Sequence, residues 1–301
     1  MTYDAAVVGA GVMGCSTALR LARGGMKVAL LDRGAICREA SGVNAGTLTM
    51  QMTRAALVPY ALRAHGMWVR MAEWCDGGHV RAVACPGLSV AFTDHEAAML
   101  EERATARRAA GAPIELVSPA RAREIEPGLS ERVILAGHCP IDGFTSAYLT
   151  GRAFRGALAD AGVDIHENRA VRGVDRTGVA FTLDTEAGPL AARRIVLAGG
   201  VWLEGMAAWL GVHLPIRVLI NQLVVTERIA PVMRTVLGVA SGLLSLKQYE
   251  NGSVLIGGGW QGIGDRARGG LAVRADNFVG NVRLAAYTVP ALREARVVRS
   301  W

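Results

Sequence analysis

The sequence predicts an α/β fold in two interleaved domains. Two observations carry this. Near the N terminus an apolar strand (residues 3–8), a glycine-rich turn, a helix (12–23) and a second apolar strand (27–32) follow one another without a gap. Further on, short strand candidates and turn residues replace that pattern at about 81–139 and again at about 214–257. The first region and the stretches that resemble it form a nucleotide-binding part. The other two form a smaller β-rich (α+β) part.

The first strand ends in Val-Val-Gly-Ala-Gly-Val-Met-Gly. Gly9, Gly11 and Gly14 fit the G-x-G-x-x-G spacing, after a strand and before a helix. In that arrangement the first glycine allows the tight turn. The second lets backbone approach a pyrophosphate, and the third lets the helix lie close to the sheet. The pyrophosphate then meets free N–H groups and the positive end of the helix dipole. Gly24-Gly25 stops the helix. Asp32 lies about 20 residues past the glycines, where a carboxylate can accept hydrogen bonds from ribose hydroxyls. The segment therefore reads as a Rossmann-like dinucleotide-binding unit.

The remaining elements follow in order. After Asp32 a small-residue loop with Gly42 and Gly46 presents many backbone N–H groups. A helix is expected over 52–75, up to Gly77-Gly78. Strand candidates at 88–92 and 134–137 flank a helix over 94–110, whose Glu96, Glu101, Glu102, Arg103, Arg107 and Arg108 make a solvated face. Ser118-Pro119 starts another helix. Leu149, Ala153, Phe154, Ala157, Leu158 and Ala161 share one face of a helix over 146–162. Strands at 163–167, 170–174, 179–184 and 194–198 then make a second βαβ-like region, expected to rejoin the first sheet. Strand candidates at 218–226 and 254–256, a turn at 250–253, a helix over 273–286 and a last strand over 295–301 complete the chain.

Composition narrows the function. With 51 % hydrophobic and 20 % charged residues, the 301-residue chain is globular. Its formal charge of +7 comes from scattered arginines; lysine occurs only at Lys27 and Lys247. That pattern attracts small anions and lacks the clustered footprint of a nucleic-acid binder. No apolar run reaches the length of a membrane span. The first strand begins at once, which leaves no room for a signal peptide. Five dispersed cysteines without C-x-x-C, and six histidines without H-x-x-x-H, argue for reduced thiols and against a metal site. A cytoplasmic location is expected, with a peripheral one at the inner face of a membrane as the variant.

Three segments taken together resemble the D-amino-acid oxidase family of flavoenzymes, on the branch with glycine oxidase, sarcosine oxidase and the catalytic subunits of opine and amino-acid dehydrogenases. They are Gly9 to Gly14 with Cys15-Ser16-Thr17-Ala18, then Ser41-Gly-Val-Asn-Ala-Gly46, then Ala198-Gly-Gly-Val-Trp202 with Pro215 and Gln222 downstream. The resemblance covers essentially the whole chain. It implies FAD. By position, Val12 and Met13 would contact the pyrophosphate beside Gly9, Gly11 and Gly14. Asp32, where relatives often carry Glu, and Arg33 would hold the adenosine ribose. Ala40, Ser41, Asn44, Ala45, Gly46 and Thr47 would line pyrophosphate, ribityl chain and flavin ring. Val171 would pack on the adenine, and Gly199 and Gly200 would pass close to the cofactor.

The resemblance further implies an FAD-binding domain at 1–80, 140–213 and 258–301 and a substrate domain at 81–139 and 214–257. It implies oxidation of the C–N bond of a small amino acid or secondary amine, with hydride passing from the α-carbon to flavin N5 and the imine hydrolysing afterwards. Partners would be that substrate and either electron-transfer subunits in a hetero-oligomer or further copies of the chain. In the family a C-terminal stretch carries a glycine-rich loop over the flavin and the carboxylate-binding arginines. This chain stops at Trp301, in mid-strand, and reads as C-terminally truncated, so no catalytic residue is named. Tyr249, Trp202, His138, Cys139, Arg217 and Gln222 are weighed as site candidates against core or surface roles. Cys15 reads as a small buried hydrophobe. An NAD-linked dehydrogenase and a non-catalytic nucleotide-binding fragment or subunit stay open as alternatives.

Overall fold

The computed structural model describes residues 2–265 and 269–301, which divide into two units. The first comprises Met1–Asn44, Arg70–Arg81 and Ser146–Val218; the second comprises Ala45–Val69, Ala82–Thr145 and Leu219–Trp301.

In the first unit, Ala5–Val8 and Val28–Leu31 are buried along their whole length and pair in parallel. Asp164–His166 joins one side and Ile195–Leu197 the other, both parallel, giving a four-stranded sheet. Of the second βαβ-like region, the strands expected at 163–167 and 194–198 rejoin the first sheet, whereas those expected at 170–174 and 179–184 pair in a different one. Fully buried parallel strands need continuous apolar runs, and these segments supply them. The helix Val12–Arg23 buries Gly14, Cys15, Ala18 and Leu19. Three of the four are small, so the helix axis lies close to the sheet. A second helix, Thr150–Asp160, buries Ala153, Phe154, Ala157 and Leu158. Phe154 meets the edge of Trp74 at 5.7 Å between ring centroids. An antiparallel hairpin, Val171–Thr177 with Ala180–Thr185, belongs to another four-stranded sheet, completed by Leu190–Ala192 and Thr2–Tyr3.

The second unit is organised on an eight-stranded mixed sheet. Its order is Val297–Ser300, Val224–Arg228, Ser253–Gly257, Ser245–Gln248, Val236–Val239, Gly87–Ala91, Leu135–Cys139, Glu115–Val117. All neighbours run antiparallel except Val236–Val239 beside Gly87–Ala91. Leu88, Val90, Val224, Leu237, Leu246, Val254 and Ile256 from this sheet share one core with Ala285, Val289 and Leu292. Each fully buried leucine or isoleucine there contributes roughly 2–3 kcal/mol. The helix Asp94–Ala109 opens with a reciprocal cap: Thr93 Oγ1 accepts from Glu96 N, and Glu96 Oε2 accepts from Phe92 N. A small three-stranded sheet, Thr47–Leu48, Gly143–Phe144 and Val83–Ala84, lies in the same unit.

The long helix expected over 52–75 is divided. A 3-10 turn at Ala55–Leu57 leads into Val58–Val69, and Met71–Trp74 is a separate turn. Pro59 explains the start, since proline fits a first helical turn and would break an interior one. Among the described residues no helix is long and apolar enough to cross a membrane.

Candidate functional site

The first unit assembles the glycine turn. Gly9 has φ +105°, which L side chains rarely adopt. A Cβ on Gly14 would overlap the Gly9 carbonyl oxygen. The spacing therefore answers to a steric need of the turn as well as to a ligand. At the start of the helix, Val12 N–H donates to Ser41 Oγ at 3.0 Å. Met13 and Gly14 N–H have no acceptor among the described residues, so two donors remain at the positive end of the helix dipole.

Asp32 follows the strand Val28–Leu31 and turns back toward the glycine turn. Its Oδ2 accepts from Ala10 N at 2.6 Å and its Oδ1 from Gly34 N at 2.8 Å. Each carboxylate oxygen has two lone pairs, so each retains one for a ligand hydroxyl. Ala198 N donates to Val8 O at 2.7 Å, which brings the end of Ile195–Leu197, and Gly199 and Gly200 after it, beside Gly9. Ala40 and Ser41 begin a short helical turn, Ala40–Val43, and Asn44 Nδ2 ties off its carbonyls at 2.8 and 3.1 Å. Val171 packs against the cluster that holds Val8 and Leu31. The Arg33 guanidinium stacks over the Trp202 ring at 3.9 Å and lies 3.6 Å from Glu39, so it forms a lid on that indole.

Ala45, Gly46 and Thr47 belong to the second unit. Gly46 has φ +66°, is buried, and its carbonyl accepts from Thr145 N at 2.7 Å. Thr47 pairs with Phe144 in the small sheet. Its hydroxyl receives a hydrogen bond from Lys247 Nζ and lies 3.0 Å from Ser245 Oγ. Close by, Asp142 is 1 % exposed and accepts from Met50 N at 2.8 Å and Thr49 Oγ1 at 2.7 Å. Burial raises its carboxyl above the ordinary range, opposed by those hydrogen bonds.

Other residues weighed on the sequence have partners of their own. The Tyr249 ring meets Phe144 edge-on at 5.3 Å, and burial pushes its hydroxyl up to about 12. Gln222 is buried and clamps Arg274, accepting from its N at 3.0 Å. His138 Nδ1 lies 2.8 Å from Glu115 Oε1, and Cys139 is fully buried. Arg217 is exposed. Lys247 was absent from the sequence candidates. Its one available signal was rarity, as one of two lysines in a chain rich in arginine.

A model of the family described as FAD dependent oxidoreductase (DAO) matches residues 4–301. The chain belongs to this FAD-dependent oxidoreductase family. As such it is an enzyme, and FAD is its cofactor. This oxidoreductase is 28 % identical over 306 residues to glycine oxidase of Geobacillus kaustophilus, a match covering 99 % of this chain and 80 % of the relative. It is also 28 % identical over 314 residues to one of the subunits of opine oxidase from Agrobacterium tumefaciens, again across 99 % and 80 %. The crystal structure of glycine oxidase from Geobacillus kaustophilus superposes with a TM-score of 0.89 at 29 % identity, covering all of this chain and 81 % of that one.

The residues present suit the cofactor. Two N–H donors with no acceptor among the described residues, a turn with glycine at 9, 11 and 14 and a carboxylate with spare lone pairs are what a pyrophosphate and an adjoining ribose require.

Proposed function

We propose that this oxidoreductase oxidises the C–N bond of a small amino acid or secondary amine, the resulting imine then hydrolysing to a keto acid or aldehyde. The observation that carries the reading is the Asp32 carboxylate fixed against the glycine turn through Ala10 N. It supports an ADP-containing cofactor held by Gly9, Gly11, Val12, Met13, Gly14 and Asp32. The likeness to glycine oxidase and opine oxidase supports the substrate class.

Within this reading, bound FAD supplies the electron sink for the α-hydride. The chain's residues bind and orient. Met13 and Gly14 N–H neutralise the pyrophosphate. Asp32 accepts from ribose hydroxyls, with Arg33 beside it. Ala40, Ser41, Asn44, Ala45, Gly46 and Thr47 line the path toward the flavin ring, and Val171, Gly199 and Gly200 flank the cofactor. The first unit takes the nucleotide-binding role.

The opine oxidase relative is, in its name, one component of a larger enzyme, which supports work in a hetero-oligomer whose other subunits take up the electrons. The reading places that assembly in the cytoplasm. The test is retention of FAD. Protein incubated with FAD and desalted is expected to keep the two-banded flavin spectrum. Firm binding of NADH with no retained flavin overturns the reading.

A further inference from the structure

Lys247 is the largest buried charge carrier that the cofactor reading leaves without a task. It is 0 % exposed. Its ordinary companions are missing: among the described residues no carboxylate lies at ion-pairing distance from Nζ, and its hydrogen-bond partner is the neutral Thr47 hydroxyl. A lone buried ammonium costs several kcal/mol and is normally neutralised or paired. Stability alone therefore does not account for a lysine here.

The strand geometry explains how the group is aimed. Ser245 and Lys247 are two residues apart on Ser245–Gln248, so both side chains leave the same face. Both reach Thr47, from the small sheet of the same unit. Thr47 is also a residue assigned to the flavin path, and the inference rests on that reading.

We propose that Lys247 is a positioning residue for the cofactor, setting through its own protonation the direction in which the Thr47 hydroxyl presents its hydrogen. An ammonium has donors and no lone pair. Protonated, Lys247 must donate to Thr47 Oγ1, and the Thr47 proton then points to Ser245 or to a cofactor acceptor. Neutral, the amine can accept that proton as a hydrogen bond, and Thr47 Oγ1 offers the cofactor a lone pair instead. Between the two states the ammonium releases one proton to solvent, and the hydrogen bond between Lys247 and Thr47 reverses its direction.

The surroundings permit this change near neutrality. Burial lowers the Lys247 ammonium to about 7, opposed by the Cys85 thiol. Cys85, just after Val83–Ala84, is itself pushed up to about 11, mainly by burial, and so stays a neutral thiol. Asp142 and Glu126 act on Cys85, and both are held by hydrogen bonds of their own, from Met50 N and Thr49 Oγ1 and from Thr235 and Arg234 N. Ser245 and Thr47 do not titrate in this range.

The experiment is a pH titration, from about pH 5.5 to about pH 9, of the visible spectrum of the FAD-loaded full chain and its variants. Native protein and Thr47→Ser are expected to show one ionisation near 7 that shifts the flavin bands. Lys247→Met and Thr47→Val are expected to bind FAD and lose that step. If Lys247→Met fails to fold, the Thr47→Ser and Thr47→Val pair decides. A titration that persists in either apolar variant, or that is absent from native protein loaded with FAD, overturns the assignment. Native protein that takes up no FAD overturns the flavin reading itself, and this inference with it.

Discussion

Two side chains in this oxidoreductase stand for opposite uses of burial. Asp32 is half-buried and saturated on one lone pair per oxygen by backbone donors, which fixes its direction at no cost in lost partners. Lys247 is fully buried, with the neutral Thr47 hydroxyl as its hydrogen-bond partner among the described residues, and burial lowers its ammonium to about 7. The unfolded chain holds that proton up to the ordinary lysine value of 10.5, so between about 7 and 10.5 it binds more protons than the native state. Stability therefore rises with pH across that window, and the full cost of the buried lysine is present at pH 7 and below. Lys247→Met, an apolar side chain of similar length, is expected to be more stable than native protein by about 1–4 kcal/mol at pH 6–7. The gap should close by about 1.4 kcal/mol per pH unit above 7. Denaturant melts at several pH values would check this, and a gap that does not change with pH would contradict it.

At the scale of elements, the glycine turn is the part under the tightest steric constraint. A Cβ at Gly14 has nowhere to go except the Gly9 carbonyl, so Gly14→Ala must move the helix Val12–Arg23 off its sheet. The expected cost is about 2 kcal/mol or more, with loss of FAD retention. A denaturant midpoint and flavin spectrum matching native protein would contradict it. This helix was legible in the sequence to the residue, because apolar strand, glycines and capping residues all acted locally. Other elements were not. Val236–Val239 and Ser245–Gln248 escaped a local reading: the first is a four-residue run broken by Gly238, and the second carries Lys247 and Gln248. Their strand character comes from neighbours far along the chain, such as Gly87–Ala91 beside Val236–Val239. The same distance hid the lysine. Thr47, from the small sheet, and Lys247, from the eight-stranded sheet, meet only where tertiary packing brings together segments two hundred residues apart, which no spacing motif records.

For the whole molecule, the first unit holds the glycine turn and Asp32, and the second holds Thr47 with Lys247 hydrogen-bonded to its hydroxyl. Membership of the FAD-dependent oxidoreductase family fixes the cofactor, and the likeness to glycine and opine oxidases supports amines as the substrate class. The most direct measurement is anaerobic mixing of the FAD-loaded chain with a panel of glycine, sarcosine, proline, D-amino acids and an opine, followed by visible absorbance. Bleaching of the flavin bands by at least one amine, with the matching keto acid or aldehyde released, is the predicted result. Flavin that dithionite reduces but no amine bleaches would contradict the account.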